Sequence, residues 1–168
     1  MLFLLLNIDN QLYAIASQQV VEVLPLVILK TLPHTPKYVA GVFNYRGCIV
    51  PVLDLRQLMH DKPCCEHLST RIVLINYCLS DRNAISKSQT PHLVGLMAEG
   101  VVETLQTSDV EMVDANIEVD AAPYLGKIIL DAQGMIQCIR TEHLLSEANL
   151  LSVTAKLTPN PQPLTTNH

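Results

Sequence analysis

Residues 11–24, QLYAIASQQVVEVL, align without a gap on residues 92–105, HLVGLMAEGVVETL, at a constant offset of 81, with five of fourteen positions identical. The identities are Leu12 with Leu93, Val20 with Val101, Val21 with Val102, Glu22 with Glu103 and Leu24 with Leu105. Upstream of each copy lies a short apolar run ending in Asn, LLLN at 4–7 and VLIN at 73–76. Downstream of each comes a Tyr and Gly pair followed by Gly-x-Ile: Tyr38, Gly41, Gly47 and Ile49, then Tyr124, Gly126, Gly134 and Ile136. Several features recurring in one order mean that the chain folds as two copies of one unit.

Within each copy the segments are short, rich in Val, Ile, Leu and Tyr, and separated by turn signals such as Ile8-Asp9-Asn10, Tyr45-Arg46-Gly47 and Ala132-Gln133-Gly134. That pattern predicts strands. They are expected near 3–8, 11–16, 20–29, 38–45 and 48–54, then near 71–78, 92–98, 101–107, 124–131 and 134–140. Five short antiparallel strands per unit close most economically into a small barrel, because closure removes exposed edges. The fold class is therefore mainly β, two small barrels side by side with short accessory helices at Leu55–Met59 and Thr141–Leu151.

His60–Thr70 and Ser80–His92 read as connectors, the second as a long hairpin loop. After Ser152 the chain becomes a Pro-rich polar tail, which cannot bury enough surface to order itself. The resulting organisation is a first barrel at about 1–59, a connector at 60–70, a second barrel at about 71–140, a closing helix at about 141–151 and a disordered tail at 152–168.

Charge excludes some partners. The net charge of −5 offers no general attraction to phosphate backbones or anionic membranes, and only seven aromatic residues are present to stack on bases, so nucleic acid is not an expected partner. The charge is also divided: eight basic and four acidic residues lie between Lys30 and Lys87, against seven acidic residues and no Lys or Arg between Glu99 and Gly126. No apolar run reaches the roughly 18–20 residues of a membrane span, and Leu2–Leu6 ends at Asn7 with no basic residue ahead of it. The expectation is a soluble, unexported chain without direct membrane insertion.

The residues of common catalytic sites do not assemble in this sequence. There is no G-x-S-x-G elbow, no P-loop and no Rossmann glycine pattern. His60, Cys64, Cys65 and His67 fall within eight residues, but adjacent cysteines do not match metal-ligand spacing, so neither a metal nor another cofactor is expected. The five cysteines are odd in number and lack a C-x-x-C, which fits reduced thiols in the cytoplasm. The acids at 109, 111, 114 and 118 read as a solvated loop.

The informative residues are polar ones set inside apolar strands. In VAGVFNYRGCIVPVLDL (39–55), Asn44 and Arg46 interrupt a run that would otherwise be buried, and Arg46 stands at a tight turn with Gly47. Backbone geometry does not require an arginine there, whereas a planar guanidinium suits an ion pair or an interface anchor. Glu22, within VVEVL, is equally conspicuous. An ion pair between Glu22 and Arg46 across neighbouring strands is therefore expected.

VVEVL, then PKYVAGVFNYRG (36–47), IVPVLDL (49–55), RIVL (71–74), VGL (94–96) and YLG (124–126) resemble, in that order, the CheW family of chemotaxis adaptors. More narrowly, VVEVLPLV, GVFNYRG and LSTRIVL resemble its WspB-like branch, the adaptors of surface-sensing systems. The resemblance implies two intertwined five-stranded, SH3-like barrels and a non-enzymatic signal-transduction role. It implies two partners: the cytoplasmic tip of a methyl-accepting chemoreceptor and the regulatory domain of a CheA-type histidine kinase. Carried over by motif, Arg46, Asn44, Gly41, Val20 and Glu22 would lie at or beside a receptor-binding groove between the barrels, and the protein would be cytoplasmic at membrane-bound receptor arrays.

Three departures from the family pattern bear on partner choice: Ala98 and Glu99 where Val and Asp are usual, Tyr45 in place of an aliphatic residue at the turn, and a long 80–92 loop. The competing reading is a free-standing small barrel that binds a peptide without a kinase.

Overall fold

The computed structural model describes residues 1–77, 92–106, 111–114, 122–132 and 134–144. Among the described residues eleven strands follow in chain order: β1 (Leu2–Ile8), β2 (Gln11–Ala16), β3 (Val20–Pro25), β4 (Val39–Tyr45), β5 (Cys48–Asp54), β6 (Arg71–Tyr77), β7 (His92–Ala98), β8 (Gly100–Gln106), β9 (Glu111–Val113), β10 (Leu125–Asp131) and β11 (Gly134–Ile139). One short helix, α1 (Leu55–His60), follows β5. The buried carboxylate of Asp54 starts it by accepting from the backbone N–H of Gln57 at 3.1 Å, and left-handed Asp61 ends it.

Two sheets form, in the orders β8-β1-β2-β11-β10-β9 and β3-β6-β7-β5-β4. Each draws strands from both repeats. The sheets thus exchange strands across the expected limits at 59 and 71.

The exchange follows a twofold pattern. Leu6 pairs with Val101 as Ile75 pairs with Val20, and each of these antiparallel pairs carries an irregularity beside that position. β11 runs parallel to β2 as β5 runs parallel to β7. Outside the strands, the Asp54 N–H donates to the Tyr38 carbonyl at 2.7 Å and the Arg140 N–H to the Tyr124 carbonyl at 2.7 Å. The internal repeat is therefore a structural one, and it carries the symmetry of the fold.

Strand alternation sorts the apolar residues into three cores. Along β1, Phe3 and Leu5 enter the interior of the six-stranded sheet with Ile129 and Ile136, while Leu4, Leu6 and Ile8 point the other way. That second set joins Val73, Ile75 and Leu96 of the five-stranded sheet in one shared cluster between the two sheets. Val52, Ile72 and Met97 fill the interior of the five-stranded sheet. The largest of the three cores is thus the junction, and neither unit can bury that face alone.

Two expected elements differ. β3 ends at Pro25 rather than near 29: beyond it the chain leaves β6 and crosses to β4, where Lys30 and Val42 exchange backbone hydrogen bonds of 2.9 and 2.8 Å. This bridge closes the five-stranded sheet into a barrel. The segment expected as acidic loop supplies β9, which pairs with β10 through Met112 and Ile129 and gives the other sheet the counterpart of the Lys30 bridge. A three-residue strand is too short for alternation to reveal. The expected closing helix begins as a 3₁₀ turn at Thr141–His143; its remainder, the 80–91 part of the long loop and the tail lie outside the described residues.

Candidate functional site

The β4–β5 hairpin turns through Arg46 and Gly47, whose φ values of +49° and +87° are the two positive dihedrals of a type I′ turn. Asn44 secures it: its side-chain oxygen accepts from the Gly47 N–H at 2.8 Å. Arg46 is consequently held on a tight, fixed tip with its side chain exposed.

Glu22 and Arg46 do not form the expected ion pair. Tyr45 stands in the way, donating its hydroxyl to Glu22 Oε2 at 2.6 Å while the Arg46 guanidinium lies over its ring, 5.2 Å from the centroid. The physical reason is placement: Tyr45, the last residue of β4, directs its hydroxyl to the carboxylate, whereas Arg46 stands one residue on, in the turn, with its cation on the ring face. The hydrogen bond to Glu22 is the main cause holding the Tyr45 phenol above its ordinary value, opposed by the charge of Arg46. Phe43, two residues back on the same strand face, meets Tyr45 edge-on at 6.4 Å. Sequence reasoning registered Tyr45 only as a departure from a motif; the alternation of Phe43 and Tyr45 was the available signal that both point to one face.

Gly41 and Val20 take different positions. Gly41 is buried at φ +150°, and a Cβ on it would stand 2.7 Å from the Lys30 carbonyl, so its place is in the closing seam of the barrel. Val20 packs against the core shared by the two sheets, as does its counterpart Val101. Around the hairpin tip the surface is apolar as well as charged. Half-exposed Ile49 pairs across the hairpin with Asn44, whereas on β3 the exposed Val21 and Val23 alternate with Glu22 and so lie on the opposite face from it.

A second polar constellation locks α1 to both repeats. Arg56 Nη2 meets Asp9 Oδ1 at 2.9 Å in the β1–β2 turn, and Nη1 meets Glu99 Oε1 at 3.2 Å between β7 and β8. Its Nη1 also donates to Cys65 Sγ at 2.9 Å. The sequence motifs did not single out Arg56 or Asp9, because these residues meet only once both hairpins are in place. His60 is occupied by the Tyr13 hydroxyl at 3.0 Å and by Asp9 at 3.9 Å. Burial pushes the Cys64 thiol up to about 12. Among the described residues no three His, Cys, Asp or Glu side chains gather as a metal site. An open groove of about 410 Å³, as polar as it is apolar, lies between Leu26–Leu29, Ala40 and Met97, with Thr31 and Glu66 on its wall.

Two strand-exchanged barrels fused through one apolar core, with a tight hairpin presenting an exposed arginine, define a protein organised around presented surfaces. The model of the CheW-like domain matches residues 2–149, and the chain belongs to that family. It is 26% identical over 103 residues to the chemotaxis protein CheW of Klebsiella aerogenes, covering 61% of this chain and 55% of that protein. The chain thus spans little more than half the length of that relative. With the probable chemotaxis protein CheW of Rhizobium etli it shares 25% identity over 144 residues, 84% of each chain. The scaffolding protein TtCheW of Thermoanaerobacter tengcongensis has the same fold, with a TM-score of 0.69 at 22% identity over 88% of this chain and 89% of that one.

Proposed function

We propose that this protein is a non-enzymatic chemosensory adaptor that couples methyl-accepting chemoreceptors to a CheA-type histidine kinase, working in the cytoplasm at receptor arrays. Family membership and relatives named as chemotaxis proteins support the role. No helix among the described residues is long and apolar enough to cross a membrane, in keeping with attachment through the receptor. Residues 1–151 act as one unit in this reading, with 152–168 outside it.

The observation that carries the site assignment is the Arg46 hairpin: an exposed guanidinium without a carboxylate partner among the described residues, on a turn fixed by Asn44 with half-exposed Ile49 across the hairpin. Such a surface suits an amphipathic helix that offers apolar side chains and a carboxylate. Arg46, Asn44 and Glu22 face the receptor tip, while Gly41 and Val20 hold the strands that carry them. Each contact is individually weak, and the array gains strength from many linked copies.

The test is co-purification with a receptor-tip fragment and with the kinase regulatory domain, comparing wild type with Arg46→Glu. A ternary complex lost in the variant supports both adaptor and site. Binding of neither partner by the wild type favours the free-standing peptide-binding barrel.

A further inference from the structure

The Glu22–Tyr45–Arg46 arrangement departs from what two opposite charges brought to one side chain do when left to themselves. A half-buried carboxylate and a guanidinium share one aromatic residue, yet no ion pair joins them. The carboxylate takes a short hydrogen bond from a neutral hydroxyl, and the cation lies on the ring of that same tyrosine.

We infer that Tyr45 is a positioning residue that keeps Glu22 away from Arg46, so that the guanidinium is presented to a carboxylate on the partner. This deepens, and rests on, the adaptor reading above. The ring holds the guanidinium by cation–π attraction, which orients it without satisfying its N–H donors. The hydroxyl satisfies Glu22 Oε2 at 2.6 Å and removes the incentive for that side chain to turn toward Arg46. Without the hydroxyl, Glu22 loses its donor, and the cation on the same ring becomes its natural partner. An internal ion pair then competes with the carboxylate of the receptor. Selection among receptors follows from the same geometry: a tip offering a carboxylate opposite Arg46 gains, and a tip offering a cation there meets Arg46 unscreened by Glu22.

The test uses the full chain as wild type, Tyr45→Phe, Glu22→Gln and the double variant. One readout needs no partner: the rate at which phenylglyoxal modifies Arg46, followed by peptide mass spectrometry, since a guanidinium held by a carboxylate reacts more slowly. The other is affinity for a receptor-tip fragment. Tyr45→Phe is expected to slow Arg46 modification about threefold and to weaken binding roughly two- to fivefold, the scale of one partly exposed ion pair. Adding Glu22→Gln returns Arg46 modification to within about twofold of wild type and lifts binding above that of Tyr45→Phe, because the competing carboxylate is gone. A purely structural role for the Tyr45 hydroxyl would leave the double variant as weak as Tyr45→Phe. Unchanged Arg46 modification in Tyr45→Phe, or no recovery in the double variant, overturns the inference. If modification slows and recovers but wild type binds no receptor tip, the adaptor reading fails and the role of Tyr45 in separating the charges stands.

Discussion

Gly41 and Lys30 face each other across the seam that closes the five-stranded barrel, so closely that a Cβ on Gly41 would stand 2.7 Å from the Lys30 carbonyl and 3.0 Å from the Leu29 Cβ. The backbone there is at φ +150°, which a side chain makes costly. Gly41→Ala should therefore cost about 2–4 kcal/mol, combining backbone strain with overpacking. Gly100 serves as the control, since the nearest atoms to its Cβ position are at 3.9 Å, and Gly100→Ala should stay within about 0.5 kcal/mol. Urea denaturation of both variants measures this. Equal stabilities would mean that the seam yields without cost.

Arg56 ties three parts of the chain, and its removal should be felt as a loss of coupling. Arg56→Met keeps the length of the side chain but leaves Asp9 and Glu99 without their shared cation, with the Asp9 N–H still 3.3 Å from Glu99 Oε1. The melting temperature should fall by several degrees. Asp9→Asn should also lower it in the wild type, yet cost little once Arg56 is gone, because the two residues act as a pair. Strictly additive losses across this cycle would show that Arg56 and Asp9 contribute independently.

The thiols divide by burial. Desolvation pushes Cys64 up to about 12 and Cys138 up to about 11, whereas Cys48 and Cys65 are exposed. At pH 8 iodoacetamide should label Cys48 and Cys65 in the folded protein well before Cys64 and Cys138, since the thiolate is the reactive form. The same shifts set a pH dependence. Half-buried Cys64 and buried Cys138 both hold their protons more tightly folded than unfolded, so their contribution to stability is complete below about pH 8.5 and is lost as the pH rises through 11 to 12. Denaturation midpoints measured from pH 7 to pH 11 should decline at the alkaline end, and a Cys64→Ser, Cys138→Ser variant should decline less. Peptide-level labelling that shows all four thiols equally fast would contradict the burial.

Much of this architecture was legible in the chain. The repeat, with its Val20 and Val101 and its Asn7 and Asn76, fixed both the number of units and the twofold relation between them, because each repeated residue occupies a repeated pairing position. Alternation located the long strands to within a few residues. It could not reveal which sheet a strand joins, since exchange between repeats depends on long-range pairing such as β1 with β8. It also missed β9, whose three residues carry too little pattern. At the site, the turn and Arg46 were readable from residue type. The separation of Glu22 from Arg46 was not, because it depends on which side chain of the hairpin is directed at the carboxylate, a matter of side-chain placement rather than of charge.

Arg46 occupies a backbone position that a different residue would fill better, which gives a direct way to separate folding from recognition. At φ +49°, in the first central position of a type I′ turn followed by Gly47, asparagine is preferred, since Asn-Gly tolerates left-handed dihedrals at little cost. Arginine there carries a strain that the turn alone does not explain, and residues held in such conformations accumulate at functional sites. Arg46→Asn should raise stability by a few tenths to about 1 kcal/mol. It should at the same time weaken receptor-tip binding as much as Arg46→Ala does, because the guanidinium is gone in both. A protein more stable and less able to bind would identify the arginine as retained for recognition. Binding unchanged in Arg46→Asn, measured beside Arg46→Ala by calorimetric titration, would show that the hairpin backbone rather than its charge is what the partner reads.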